Sequence, residues 1–216
     1  MKSPSPRRVW VAALLATTLH AKAGAPTSGT WDFVALLNGE PIGEHRFRVV
    51  AAGDARKVTS DANFTVTFVG ITAYRYRHEA SEQWHGNCLK ALDATTDDDG
   101  KAIQVRSKPD DDGLVVSTNA GKARTLTGCV MSFAYWNPAI RTQTRLLNAQ
   151  TGEYEEVQVR RMGTGEIPVR GKMVAATRWR ISGPPQPVDV WYSAQDEWIG
   201  LDSTVAGGRT LSYRLQ

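Results

Sequence analysis

A period of two runs through most of this chain, and nothing else in the sequence restricts the fold as strongly. Trp31, Phe33, Ala35 and Leu37 alternate with Asp32, Val34 and Leu36, and Asn38-Gly39 follows as a hairpin signal. His45, Phe47 and Val49 then alternate with Glu44, Arg46 and Arg48. Val58, Ser60, Ala62, Phe64, Val66 and Phe68 share one face, against Thr59, Asp61, Asn63, Thr65 and Thr67. Tyr74, Tyr76, His78, Ala80, Glu82 and Trp84 do the same against Arg75, Arg77, Glu79, Ser81 and Gln83. Shorter strand candidates cover 88–96, 101–108, 114–118, 153–161, 174–181, 188–193, 201–205 and 211–215. Turn chemistry divides them at Gly86-Asn87, Asp99-Gly100, Asp112-Gly113, Gly183-Pro184-Pro185 and Gly207-Gly208. Side chains alternate faces along a strand, so this pattern predicts an all-β antiparallel meander of at least eight strands, curved into a half-barrel or barrel. One short helical or irregular segment is expected near 128–147, where the alternation stops.

The first hairpin shows how turn chemistry bears on a site. A two-residue Asn38-Gly39 turn with an unbroken ladder pairs Asp32 with His45, a dyad on an apolar face. A longer turn, Leu37-Asn38-Gly39 closed by a glycine bulge, pairs Leu36 with Glu40 and Trp31 with His45. A one-residue slip turns a whole strand over. Only the second register puts Asp32, Glu44, Arg46 and Arg48 together on the water side, so His45 is expected opposite Trp31.

The first residues carry an address. Lys2, Arg7 and Arg8 precede an apolar run over 9–19, and Ala21-Lys22-Ala23 supplies small residues at a cleavage spacing. These are the parts of a secretory signal peptide cut after Ala23, which leaves a single β domain over 24–216 in the periplasm. The run is too short to span a bilayer, which takes about 20 apolar residues. No membrane-spanning segment follows in the mature chain. Removing Lys2, Arg7, Arg8 and Lys22 from the 26 basic residues leaves 22, against 22 acidic ones. A neutral mature chain lacks the basic footprint that nucleic-acid binding needs. Cys88 and Cys129 both lie in the mature part, and in an oxidising compartment they are expected to pair. Two separate buried thiols are the alternative.

Several motifs resemble those of a bacterial family of exported, periplasmic proteins known only as a domain of unknown function. They are Trp31-Asp32-Phe33, Asn38-Gly39 with Ile42-Gly43-Glu44-His45-Arg46-Phe47, Glu82-Gln83-Trp84 and Tyr135-Trp136-Asn137-Pro138. Leu147-Asn148-Ala149-Gln150-Thr151-Gly152, Trp191-Tyr192 and Gly208-Arg209-Thr210-Leu211-Ser212-Tyr213 extend the likeness over essentially the whole mature chain. More loosely, the strand succession is similar to exported families built on a long curved sheet or barrel. The resemblance implies a fold style and a compartment, and supplies no activity and no catalytic residues.

Chemistry-bearing motifs are sparse. No His-x-His or His-x-x-x-His spacing occurs, and no metal or cofactor is implied. Ser132 lacks the flanking glycines of a nucleophile elbow. Asp97-Asp98-Asp99-Gly100 and Asp110-Asp111-Asp112-Gly113 flank one strand candidate and so sit roughly 25–30 Å apart, too far to share one ion. His78 and Glu82 share a face but stand roughly 13 Å apart along a strand.

The aromatic residues give the stronger hint. Tyr74, Tyr76 and Trp84, with Tyr135 and Trp136 from the irregular segment, are placed to line the mouth of a curved sheet, with His45, His78 and Glu82 as polar groups. The plainer reading is that these rings fill a core. The leading functional expectation is non-enzymatic binding of a hydrophobic or amphipathic molecule, such as a lipid or envelope precursor. An envelope assembly protein that docks a protein partner on an open sheet edge comes second. A hydrolase or isomerase with a His–carboxylate pair comes third.

Overall fold

The computed structural model describes residues 28–69, 71–119 and 121–216. The signal peptide expected over 1–23 lies outside the described residues. The first arm of the fold comprises β1 (Gly29–Leu37), β2 (Glu40–Ala52), β3 (Ala55–Phe68), β4 (Ile71–His85), β5 (Cys88–Asp98), β6 (Lys101–Asp110), β7 (Gly113–Thr118) and β8 (Arg124–Leu126). An inserted segment follows, holding a 3₁₀ turn (Pro138–Thr142) and a small hairpin of β9 (Arg145–Leu147) and β10 (Tyr154–Glu156). The second arm is β11 (Gln158–Val169), β12 (Lys172–Ser182), β13 (Val188–Tyr192), β14 (Trp198–Val205) and β15 (Arg209–Leu215).

Thirteen strands form one antiparallel sheet in the order β11-β12-β13-β14-β15-β1-β2-β3-β4-β5-β6-β7-β8. Each arm is a meander of sequence neighbours. The two arms join through β15 and β1, where Phe33 faces Leu215 and Ala35 faces Tyr213. The sheet is not closed: β8 and β11 are its two edges. No described helix is long and apolar enough to cross a membrane.

The expected strand faces hold. Trp31, Phe33, Ala35, His45, Val49, Val58, Ala62, Phe64, His78, Ala80, Glu82 and Trp84 are buried, and the residues between them along the strands are mostly exposed. The register of the first hairpin is a correction. Leu37 pairs with Glu40, and Asn38 and Gly39 take positive φ of 52° and 89°, the two-residue turn that Asn-Gly favours. The extra residue sits inside β2 instead, where Leu36 pairs with Pro41 and Ala35 with Gly43, leaving Ile42 as a bulge. His45 therefore faces Phe33, neither Trp31 nor Asp32. A bulge in the strand shifts parity as one in the turn does, so the faces survive while the partner changes. Gly43 is required there: at φ 151°, a Cβ would lie 1.9 Å from the Asn63 carbonyl oxygen. The strand expected over 153–161 is also divided, into β10 and β11, because the Val157 N–H turns aside to donate to Thr144 O.

The inserted segment supplies much of the core: Val130, Met131, Ala134, Trp136, Ile140, Leu146 and Leu147 are all buried. It is tied to both arms. The Cys88–Cys129 disulfide fixes it to the start of β5, and the Leu89 N–H donates to Val130 O. The Asn137 amide donates to Asn87 Oδ1. On the other arm, Tyr192 Oη donates to Tyr135 O at 2.7 Å. The Arg141 guanidinium grips both Asp196 oxygens, at 2.6 and 3.1 Å, while lying over the rings of Trp179 and Tyr192. Trp198 of β14, fully buried, contacts Phe33, Phe47 and Tyr135 and so links the two arms to the segment.

Candidate functional site

Between the inner sheet face and the inserted segment lies a cavity of about 270 Å³. Strands β2, β3 and β4 supply one wall, with His45, Phe47, Val58, Ser60, His78 and Glu82. Residues 132–136 and 148–150 supply another, and Leu201, Leu211 and Tyr213 complete it from the second arm. The volume lies just under the lower end of small-molecule sites, about 300 Å³.

Asn148, Gln150, Gln186 and Ser203 add polar groups to the lining, and the histidines and the one acid form two further sets. His45, buried beside Phe47, shares a 2.7 Å hydrogen bond between Nε2 and Ser60 Oγ, and a 3.3 Å one between Nδ1 and Tyr213 Oη. Burial holds its imidazole well below the ordinary value, and the charge of His78 adds to that. His78 meets Thr96 Oγ1 through Nδ1 at 2.9 Å, and burial lowers it to about 4, against a small opposing pull from Asp61. Both rings are neutral at pH 7.

Glu82 makes up the second set. Its Oε1 accepts from Ser132 Oγ at 2.8 Å and its Oε2 from Trp84 Nε1 at 2.9 Å. Burial pushes the carboxyl above its usual range, and these two donors pull it partly back. Trp84 in turn meets Trp136 edge to face, with ring centres 5.4 Å apart.

Of the eight residues expected to form a site, five line the cavity: His45, His78, Glu82, Tyr135 and Trp136. The other three do not. Trp84 is buried behind the wall and acts through Glu82. Tyr76 stacks on Phe64, and Tyr74 lies at the end of β4, where its hydroxyl donates to Asp98 Oδ1. These two miss the site because they lie near the start of β4, close to the turn that joins it to β3. Ser60, Ser132 and Tyr213 were not expected there. Ser60 shares a face with Val58 and Ala62, a signal the alternation already contained. Tyr213 reaches His45 only because β15 pairs with β1, which no local pattern announces.

Serine, histidine and tyrosine stand in line here like a nucleophile, its base and an orienting group. Burial disfavours the imidazolium that His45 would become on taking the serine proton, which makes it a weak base, and the main-chain N–H groups of these mid-sheet strands are committed to ladder bonds, so they cannot serve a developing oxyanion. Asp32 lies on the outer face, 3.6 Å from Arg46, and makes no contact with His45. Glu82 bonds to neither histidine among the described residues. Among those residues, too, no three His, Cys, Asp or Glu side chains group as a metal would require.

The fold and site together define an open, strongly curved antiparallel sheet whose concave side is filled by an inserted, disulfide-anchored segment over a small mixed-polarity cavity. The chain belongs to the family described as a domain of unknown function, DUF6134, whose model spans residues 33–216. No curated protein matches the sequence. Among solved structures, the fold is similar to a β-barrel-like protein of another domain of unknown function, DUF1849, from Brucella abortus. That likeness has 11% identity and a TM-score of 0.61 over 88% of this chain and 94% of that one.

Proposed function

We propose that this is an exported, non-enzymatic binding protein that holds one small hydrophobic or amphipathic molecule in the cavity between sheet and inserted segment. A signal peptide ending at Ala23 delivers the β domain of residues 24–216 to the periplasm, where the Cys88–Cys129 bond is stable. The observation that carries the reading is the cavity itself, in which apolar and aromatic walls are combined with convergent polar groups, as in ligand sites. Its size supports a single chain or ring with a compact polar head, and leaves no room for the bulk of a two-chain lipid.

Native mass spectrometry of protein purified from the periplasm, followed by organic extraction, tests this directly. A stoichiometric adduct in the small-molecule mass range is expected, and it should disappear when Ala134→Phe fills the cavity in a variant that still folds. Protein that stays bare after purification and after incubation with a periplasmic extract would overturn the proposal.

Partner docking on an open edge is the second reading, and β11 is the longer of the two edge strands. Arg160, Arg161 and Glu166, a bulge near Met162 and Pro168 all blunt that edge, the devices by which sheets avoid pairing.

A further inference from the structure

We propose that the ligand of this cavity carries a cationic head, a primary amine or similar ammonium, which Glu82 receives. The proposal rests on the binding reading above and adds the class of ligand. Among the described residues, Glu82 is the one acid lining the cavity, and no Lys or Arg lines it. Each Glu82 oxygen accepts one hydrogen bond from a neutral donor, Ser132 Oγ or Trp84 Nε1. A carboxylate accepting on both oxygens is arranged for its ionised form, with lone pairs still free. Neutral donors orient that charge without cancelling it, and a buried charge left unpaired is costly. The protein has thus built half of an ion pair.

The surroundings agree. Across the sheet Glu82 is flanked by Val58 of β3 and Leu92 of β5, both apolar. The titratable groups facing the same space are His78 on β4, His45 on β2, Tyr135 on the inserted segment and Tyr213 on β15, all neutral at pH 7. On this face Arg56 stands across from Trp84, where it donates to Gly86 O outside the cavity lining. Phe47, Tyr135, Trp136 and Tyr213 bring aromatic rings to the lining, and such rings attract cations over their faces. An anionic head would meet Glu82 with nothing to balance it.

Three probes of one chain length separate the outcomes in calorimetric titrations: hexylammonium, hexanol and hexanoate. Hexylammonium should bind at least about tenfold more tightly than hexanol, and hexanoate most weakly. Glu82→Gln should abolish the preference for the amine while keeping hexanol binding. On the unaltered protein, affinity for hexylammonium should rise with pH through and above the usual carboxylate range, as Glu82 gives up its proton, while hexanol stays flat. His45 and His78 oppose a cation only in acid, and the slope remaining in Glu82→Gln reports their share. Equal binding of all three probes, or a preference that survives Glu82→Gln, would overturn the cationic head and leave the cavity reading standing. Failure of all three to bind would overturn both.

Discussion

The sheet and the segment inserted into it are built by opposite rules. In each arm, neighbouring strands are neighbours in sequence, short turns set the register, and alternation decides which face is buried. Residues 127–157 have almost none of this. Their path is held by links to distant positions: Cys129 to Cys88, Ser132 to Glu82, Tyr135 to Tyr192, Asn137 to Asn87 and Arg141 to Asp196. Beyond its own small hairpin and 3₁₀ turn, the segment depends on these links for its path, while the ladders of the sheet run strand to strand without it. The cavity lies on the boundary between them, so its shape depends on those links.

The sharpest way to break that comparison is to remove the disulfide. It joins cysteines 41 positions apart, which in the chain-entropy model is worth about 4 kcal/mol. The double variant Cys88→Ala/Cys129→Ala should lose stability on that order. Hydrogen exchange should rise first over 127–157, with β2–β4 still protected. Uniform loss of protection would mean that segment and sheet form one cooperative unit.

Acid should act next most strongly, and through the sheet. The folded protein holds His78 near 4 where the ordinary value is 6.5, so the unfolded chain takes up a proton that the folded one refuses. That contribution is present in full above about 6.5 and is lost as pH falls toward 4, up to roughly 3 kcal/mol. Glu82 works with the opposite sign, because its raised carboxyl costs stability as pH rises. Denaturant midpoints of His78→Gln against the parent between pH 4 and 7 isolate the histidine: the variant's curve should be flatter over that window. Parallel curves would count against a neutral buried ring.

Ser132→Ala probes the boundary itself. It strips one donor from buried Glu82, which should cost about 1–3 kcal/mol and raise the carboxyl further. Carboxyl resonances followed by NMR titration would read the second effect, and an unmoved Glu82 would show that the segment does not hold it. The smallest effect belongs to the outer face. Arg46 pairs with Asp32 and Glu44 on the exposed outer face. Arg46→Ala should change stability by less than about 0.5 kcal/mol in thermal unfolding.

The same contrast governs what the sequence could reveal. Faces were legible because burial imposes a period of two over strands as long as β3 and β4. The cysteine pairing was legible from the presence of two cysteines in a chain whose first residues read as an export signal. The bulge lies within β2 and not in the turn, and Pro41 and Gly43 are its sequence mark: proline and glycine inside a strand are at home at a bulge. In the site, His45, His78 and Glu82 were visible as polar intruders on an apolar face. Ser132 and Tyr213 were not, because what brings them there is the path of the inserted segment in one case and, in the other, a strand pairing between opposite ends of the domain.

That pairing of β15 with β1 has a consequence in time. The seam at the centre of the sheet is the one formed by segments furthest apart in sequence, while the two outer edges flank the insertion in the middle of the sequence. During synthesis each arm can zip up as it emerges, yet the wall that sets Tyr213 beside His45 must wait for β15. Non-local pairings of this kind form slowly and leave apolar faces uncovered meanwhile. A half-made molecule therefore offers a long sticky trough with no cavity in it, and binding of the proposed ligand would report that the last strand has docked.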